Sequence, residues 1–253
     1  MGQAEAHPSP PGEGAWAETP WEALGPLQRE RIQVAGRTFT LERPASTDTL
    51  LDHPAVFAAF ARNEYIPYWT DLWPAARMLA AAILQHDWPA YLTQGPERPE
   101  VLEVGCGLGL AGLAAAACGL RVVLSDCDAT ALRLALGNAR LNGLTKVRAM
   151  LLDWERPPAG WRVPVVFASD VIFESRHVAP LVRLLDELLL PDGECWLADQ
   201  NRPAGGLFRQ TLVARGFTYA TTPSQAHASD AAGHAVLGTI YRIRRRQRRR
   251  GRA

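Results

Sequence analysis

The apolar residues in the C-terminal half of the chain form short continuous runs that alternate with stretches of helical spacing. Short runs bounded by turn residues predict buried strands, and apolar residues three or four positions apart predict helices. The runs predict strands near 100–104, 121–125, 147–151, 164–169 and 193–198. The stretches between them predict helices over 110–118, 128–142, 177–190 and 205–215. This alternation predicts a parallel sheet with helices on both faces.

The C-terminal end of this pattern departs from the alternation. Two further β runs, over 216–222 and 235–244, have no helical stretch between them. Strands joined without a crossover helix pair antiparallel, so this hairpin adds one antiparallel strand. The predicted fold class is therefore α/β: a doubly wound, mostly parallel seven-stranded sheet with a C-terminal antiparallel strand.

The N-terminal third has a different composition. Residues 1–28 are rich in Pro, Gly, Ala and Glu and are predicted to be a disordered lead-in. Alternating residues on either side of Ala35-Gly36 predict a hairpin. Stretches rich in Ala and Leu over 48–63 and 71–87 predict two helices.

The chain therefore divides into four parts. They are the lead-in (1–28), a hairpin with helices that cover the predicted ligand site (29–95), the α/β core (96–243) and a basic disordered tail (244–253).

Length and composition limit the class of protein. A chain of 253 residues with 47% hydrophobic content buries a core unaided. The first residues lack the basic start and apolar core of a secretory signal, and no run of about 18 apolar residues occurs. We therefore expect a cytoplasmic protein with no membrane partner. The four cysteines form no CxxC pair and have no histidine at metal-ligand spacing, so we expect no metal site.

The net charge of +1 hides an uneven distribution. Eight arginines lie within residues 242–253, and removing them from the total leaves −7 on residues 1–241. A tail of this kind binds nucleic acid, an acidic protein face or the ribosome, or it is solvated without a dedicated partner.

A glycine-rich turn follows the first predicted strand of the core. Gly105, Gly107 and Gly109 lie between this strand and a helix of small residues, and Asp126 ends the next strand. Such glycines let the backbone approach a nucleoside closely, and a carboxylate at the next strand end accepts from the ribose hydroxyls. This pattern alone fits both a nicotinamide dinucleotide and S-adenosylmethionine.

Three further features favour S-adenosylmethionine. Glu103 precedes the turn and gives the pattern ExGxGxG, which resembles motif I of class I methyltransferases, where the acid holds the ammonium of the methionine moiety. By the same resemblance, Asp153 and Trp154 after the third strand bind the adenine. Ser169, at the end of the fourth strand, faces the transferred methyl group.

Residues 60–200 resemble the seven-strand protein lysine methyltransferase family, also called methyltransferase family 16. The segment PYWTDLWP at 67–74, motif I at 102–107, and an acid followed by an aromatic residue at 170–173 carry this resemblance. The resemblance implies a Rossmann-like methyltransferase fold, S-adenosylmethionine as cofactor and a protein lysine as methyl acceptor.

The resemblance also implies roles for individual residues. Trp69 closes over the cofactor, and Asp170 and Phe173 lie beside the acceptor. A lysine amine must lose its proton before it attacks, so Asp170 is a candidate to orient the ammonium or to take its proton through water. Phe173 is a candidate to hold the aliphatic stem or attract the cation. The family commonly has Tyr where this chain has Phe173.

Other functions fit parts of the pattern. A small-molecule N-methyltransferase would use the same cofactor residues, and a non-catalytic module on this fold would bind RNA through the arginine-rich tail. The sequence DVIF at 170–173 lacks the [ND]PPY of adenine and glutamine methyltransferases. His177 is expected to be a surface residue. We expect a monomer that acts on a protein substrate.

Overall fold

Nine strands run through residues 19–227 and 234–246, the part of the chain that the computed structural model describes. They are β1 (Leu27–Val34), β2 (Arg37–Pro44), β3 (Glu100–Val104), β4 (Arg121–Asp126), β5 (Val147–Leu151), β6 (Val163–Ser169), β7 (Leu189–Asp199), β8 (Phe217–His227) and β9 (Ala235–Arg245).

Eight α-helices accompany the strands in the same part of the chain. They are α1 (Thr47–Leu51), α2 (Pro54–Asn63), α3 (Pro74–Gln85), α4 (Ala90–Thr93), α5 (Leu110–Ala117), α6 (Ala129–Leu141), α7 (Val178–Leu188) and α8 (Gly205–Ala214). Where the chain is described, no helix is long and apolar enough to cross a membrane. A cytoplasmic location stays a prediction.

The central sheet contains seven strands in the order β5-β4-β3-β6-β7-β9-β8. The strands β3 to β7 run parallel, whereas β9 pairs antiparallel with β7 on one side and β8 on the other. Strands β3, β4 and β6 are almost entirely buried, because helices cover both faces of a parallel sheet. The predicted fold class is confirmed.

Two hydrophobic layers enclose the sheet. Helices α3, α5 and α6 pack on one face, where Leu79, Leu113 and Leu134 belong to one buried cluster. Helices α7 and α8 pack on the other face, where Leu185 and Phe208 belong to a second buried cluster.

The predicted helix over 48–63 is two helices in the structure. Helix α2 begins at Pro54, and the ring nitrogen of His53 accepts the amide hydrogen of Ala55. Proline fits the first turn of a helix, where its missing N–H is not needed, but it cannot continue a helix from the preceding turn.

The N-terminal lead-in is shorter than predicted. Residues 1–18 lie outside the described part of the chain, but Thr19 is buried. Its amide and hydroxyl donate hydrogen bonds to Asp128 at 3.1 and 2.6 Å. The guanidinium carbon of Arg133 lies 4.0 Å from the centre of the Trp21 ring. These contacts place residues 19–28 in the fold, contrary to the predicted disorder.

The basic tail also begins later than predicted. Arg244 and Arg245 lie in β9, where they pair with Glu194 and Asp186 respectively. Residues 247–253 lie outside the described part, so a nucleic-acid or ribosome partner stays a prediction. Because β9 runs antiparallel, its C-terminal end lies at the amino ends of the parallel strands.

The hairpin β1–β2, which turns at Ala35-Gly36 as predicted, packs on α6. Asn138 of that helix is fully buried and connects three segments. Its side-chain Oδ1 accepts from the Glu42 amide at 2.7 Å, and its Nδ2 donates to Glu42 O and to Leu108 O in the glycine turn. The hairpin thus supports the turn from behind.

Substituting Asn138→Ala should destabilise the protein by about 2 kcal/mol, because buried polar groups of Glu42 and Leu108 lose their partners. Chemical denaturation measures this change. Asn142→Ala is the matched control: its side chain bonds Thr40 in the same hairpin but is half-exposed, so water replaces its bonds and the loss should be smaller. Equal losses in the two variants would contradict this account.

Candidate active site

A crevice of about 810 Å³ runs along the carboxyl ends of β3, β4, β5 and β6. Ligands of open α/β sheets bind at this edge. The opposite wall comes from the segment 64–76, between α2 and the first turn of α3. Within the predicted covering region 29–95, the segment 64–76 therefore lines the crevice, whereas the hairpin packs on α6.

The glycine turn after β3 forms the floor of the crevice. A Cβ on Gly105, whose φ is 62°, would lie 2.9 Å from Val171 Cγ1. A Cβ on Gly107, whose φ is 51°, would lie 3.4–3.6 Å from the backbone and Cβ of Trp69. Gly109 precedes α5 with a φ of 86°. The backbone is left bare on the crevice side, as a bound nucleoside requires.

The carboxylate of Asp126 lies at the end of β4 beside this turn. Its Oδ2 accepts from the Gly107 amide at 3.0 Å and its Oδ1 from the Asp128 amide at 3.1 Å. The side chain lines the crevice although the residue is only 7% exposed. Burial raises its pKa to about 6, so the carboxylate is ionised at neutral pH. Its position fits the predicted contact with ribose hydroxyls.

Glu103 differs from its predicted position. The residue is 1% exposed and does not line the crevice. Its Oε2 accepts from the Gly112 amide in α5 at 2.8 Å, and its Oε1 has no hydrogen-bond partner among the described residues. Burial raises its pKa to about 8. In this structure Glu103 joins β3 to the first turns of α5 instead of facing a ligand.

Asp153, Trp154 and Ser169 all line the crevice. The Asp153 carboxylate accepts from the Glu155 amide at 2.8 Å, which holds it at the mouth of the loop after β5. The Trp154 ring lies 3.7 Å from the Cβ position of Gly105. The structure brings these residues to one cavity, and their contacts with adenine and the methyl group stay predictions.

Asp128 is a residue that the sequence did not single out. Its carboxylate, fully buried, accepts from Trp69 Nε1 at 3.0 Å, from the Tyr65 hydroxyl and from Thr19. Trp69 therefore lies against Gly107 with its indole N–H anchored. The N-cap position before α6 was visible in the sequence, but its partners 59 and 109 residues away were not.

The acceptor side of the crevice follows β6, and here Asp170 departs from its predicted role. Its two oxygens accept from Arg202 Nε and Nη2, both at 2.8 Å, and Oδ2 also accepts from Gln200. Its side chain is only 4% exposed. Three of the carboxylate's about four lone-pair sites are therefore engaged within the protein, and its predicted contact with the acceptor stays a prediction.

Aromatic side chains surround this pair. The ring of Phe173 lies 5.2 Å from that of Tyr68 and 4.6 Å from that of His177, in edge-to-face contacts. His177 lines the crevice and is half-buried, contrary to its predicted surface position, and burial lowers its pKa. Trp73 donates its indole N–H to Tyr68 O at 2.7 Å. Phe173 thus forms part of an aromatic wall, and its contact with the acceptor stays a prediction.

The charges of the crevice favour a cationic ligand. Seven acidic and two arginine side chains line it. The acids are Glu64, Asp71, Asp126, Asp153, Glu155, Asp170 and Glu174. The amides of Gly107 and Gly112, which a pyrophosphate would need, already donate to Asp126 and Glu103. These residues fit S-adenosylmethionine, with its sulfonium and ammonium groups, better than a dinucleotide.

This is the fold and the ligand crevice of class I S-adenosylmethionine-dependent methyltransferases. A family model described as lysine methyltransferase matches residues 69–208, more than half of the chain. The chain therefore belongs to the lysine methyltransferase family, whose cofactor is S-adenosylmethionine.

Two curated proteins are similar over the core. Histone-arginine methyltransferase METTL23 of Xenopus laevis is 32% identical over 152 residues, which cover 54% of this chain and 59% of that protein. Ribosomal protein L11 methyltransferase of Syntrophotalea carbinolica is 41% identical over 125 residues, which cover 49% and 39% respectively. The chain thus spans less than two thirds of the length of either relative.

A solved structure supports the fold. A protein from a study of the conversion of a disulfide bond into a thioacetal group during echinomycin biosynthesis superposes with a TM-score of 0.52. The match covers 77% of this chain and 93% of that chain at 22% identity.

Substituting Gly105→Ala should weaken the binding of S-adenosylhomocysteine by about tenfold or more, because the new Cβ meets Val171 and the φ is strained. Isothermal calorimetry measures the affinity. Gly137→Ala, in α6 with open space around its Cβ, is the control: it should keep the affinity and raise the unfolding temperature. An unchanged affinity of Gly105→Ala for S-adenosylhomocysteine would contradict the assignment of the glycine turn as the floor of the cofactor crevice.

The buried Glu103 carboxyl should make stability depend on pH. Its pKa of about 8 in the folded protein exceeds the ordinary 4.5, so the folded state binds more protons between these values. Stability therefore falls as pH rises from about 5 to 8. Glu103→Gln should flatten this fall in the unfolding temperature.

Glu100→Gln, on the same strand, is the control for this measurement. Its Arg148 partner lowers the pKa of Glu100, so that carboxyl makes stability depend on pH only below its ordinary pKa, and the slope above about pH 5 should persist in Glu100→Gln. If the unfolding temperature of Glu103→Gln fell with pH as steeply as that of the wild-type protein, the raised pKa of Glu103 would not be the cause of the fall.

Proposed function

We propose that this protein is a methyltransferase that transfers the methyl group of S-adenosylmethionine to the side-chain amine of a protein lysine. The observation that carries the proposal is a single cavity shared by the glycine turn, Asp126 and the aromatic wall at Phe173. Cofactor residues and acceptor residues must meet in this way, because the two reacting atoms approach to about 3 Å.

The walls of the acceptor side suit a lysine side chain. When bound, the cofactor supplies an electrophilic methyl carbon, so the acceptor must present a neutral nitrogen. Aromatic rings at Tyr68 and Phe173 exclude water from the amine, and desolvation of an amine favours its neutral form. The same rings attract the cation as it enters and pack against its aliphatic stem.

A protein acceptor is supported by the shape and charge of the crevice. Its rim reaches exposed side chains at Glu64, Tyr68 and Arg176, so the acceptor side opens to the surface. A small molecule would be favoured by a closed pocket. The excess of carboxylates along the crevice attracts a basic segment of a protein.

Arginine is a second candidate acceptor. The METTL23 relative is named a histone-arginine methyltransferase, and a guanidinium is also a cation that packs on aromatic rings. An acidic crevice attracts both side chains, so the product must be identified chemically.

The assay uses extract of cells that lack the gene, so that acceptor sites are unmethylated. The extract is incubated with the purified protein and labelled S-adenosylmethionine. Label should enter extract proteins, and acid hydrolysis of these proteins should release it as methyl-lysine. Asp126→Ala should abolish the label, because loss of two ligand bonds to a charged group lowers affinity by about 100-fold. Asp192→Ala, an exposed acid at the other end of the sheet, should not.

Each other outcome of this assay has a defined meaning. Methyl-arginine in place of methyl-lysine would select the second candidate. Label in small molecules would contradict the protein acceptor. Absence of label and of cofactor binding, with RNA affinity intact, would select a non-catalytic module that binds RNA.

A further inference from the structure

Asp170 is fixed by its surroundings before any substrate arrives. Its backbone adopts a φ of 56°, and its amide donates to Ala198 O at 2.9 Å. The side chain turns away from the solvent and meets the guanidinium of Arg202 through two parallel hydrogen bonds. A bidentate pair of this geometry is among the strongest charge-assisted contacts in proteins.

Arg202 is held from three directions. Its amide donates to Asp199 Oδ2 at 2.9 Å, and its guanidinium carbon lies 5.4 Å from the centre of the Trp73 ring. Asp170 engages Nε and Nη2. Arg202 itself lines the crevice and its side chain is 29% exposed.

One nitrogen of this guanidinium is left over. Nη1 of Arg202 has no hydrogen-bond partner among the described residues and is not fully buried. The guanidinium of Arg202 lies near the Trp73 ring and pairs with Asp170 along one edge. The free N–H groups of Nη1 lie in the plane of this guanidinium. A guanidinium only donates hydrogen bonds, so the partner that fits this position is an oxygen atom.

We propose that Arg202, rather than Asp170, contacts the methyl acceptor, by donating a hydrogen bond from Nη1 to an oxygen close to the reacting nitrogen. Asp170 is the positioning residue that holds Arg202 in place. The oxygen is a main-chain carbonyl of the acceptor polypeptide or a carboxylate beside the methylated residue. This inference rests on the proposed function, since it concerns the acceptor side of the same crevice.

The physical alternative is that Asp170 itself receives the acceptor amine. That arrangement requires the amine to compete with Arg202 and Gln200, which already engage three of the carboxylate's about four lone-pair sites. The two roles predict opposite effects of removing the guanidinium. If Asp170 receives the acceptor amine, loss of the Arg202 guanidinium frees the carboxylate for that contact. If Arg202 contacts the acceptor, loss of its guanidinium removes the contact.

Kinetics of four variants distinguish these roles, with saturating cofactor and the protein acceptor found in the methylation assay. Arg202→Gln should lower kcat/KM by about 10- to 100-fold, mostly through KM, as expected for the loss of one charge-assisted hydrogen bond. Asp170→Asn should lower it less, because Trp73 still holds the guanidinium. Arg202→Gln combined with Asp170→Asn should resemble Arg202→Gln alone.

Arg209→Gln is the matched arginine control in the neighbouring helix α8. It bonds the Tyr241 hydroxyl and does not line the crevice, so kcat/KM should stay at the wild-type value. Affinity for S-adenosylhomocysteine, measured by calorimetry, should be unchanged in every variant, which separates loss of the acceptor contact from misfolding.

Short acceptor probes test the oxygen directly. The wild-type protein should methylate the N-methylamide of N-acetyl-lysine about tenfold or more faster than n-butylamine, which has the amine and stem but no carbonyl. Arg202→Gln should erase this preference. Acetyl-Lys-Glu-amide and acetyl-Lys-Gln-amide then identify the oxygen: equal rates indicate the main chain, and faster reaction of the glutamate peptide indicates a carboxylate.

Three results would overturn the inference. One is an Arg202→Gln variant that retains at least half of the wild-type kcat/KM. Another is an Asp170→Asn variant that is inactive whether or not Arg202 is present. The third is equal rates with n-butylamine and the amide probe in the wild-type protein. Failure of the proposed function is a different result, because the wild-type protein itself would then methylate neither protein nor probes.

Discussion

Two carboxylates two residues apart, Asp126 and Asp128, hold the crevice in shape at the end of β4. Asp126 accepts from the amide of the glycine turn, and Asp128 accepts from Trp69 on the opposite wall. Asp128 also binds Thr19, so the N-terminal segment, the covering segment and α6 meet at one buried group. Buried hydrogen bonds of this kind are strong because no water competes for them.

Asp126 also helps to decide which ligand the crevice suits. Backbone amides at a glycine turn and helix N-terminus ordinarily attract phosphates. Here Asp126 and Glu103 occupy two of these amides, and Asp126 brings negative charge to the place where a pyrophosphate would lie. The result is a nucleoside site that favours positive charge. Glu103 contributes without facing the ligand, which explains how it belongs to the motif although it is buried.

Much of the fold was predictable because it depends on local pattern. Strand β3 and strand β5 have the predicted bounds, and Pro54 could have indicated the break between α1 and α2. The elements that carry the site were predictable for the same reason: Asp126 and Asp170 each follow an apolar run and a single serine.

The side-chain partners of the site were not predictable, because they join distant segments. Arg202 lies 32 residues beyond Asp170, and no periodicity relates the two. Trp69 meets Asp128 across 59 residues. The sequence could place an acid at the acceptor side of the crevice, but only the structure shows that an arginine already neutralises it. That contact is the reason for proposing that Asp170 positions Arg202 instead of taking a proton.

The central claim is that the crevice binds a sulfonium nucleoside rather than a redox dinucleotide. Calorimetric titration of the full chain with S-adenosylhomocysteine, S-adenosylmethionine and NAD measures this directly. The first two ligands should each bind at one site per chain, with micromolar affinity, and NAD should give no heat of binding. Saturable binding of NAD, or no binding of either sulfur nucleoside, would contradict it.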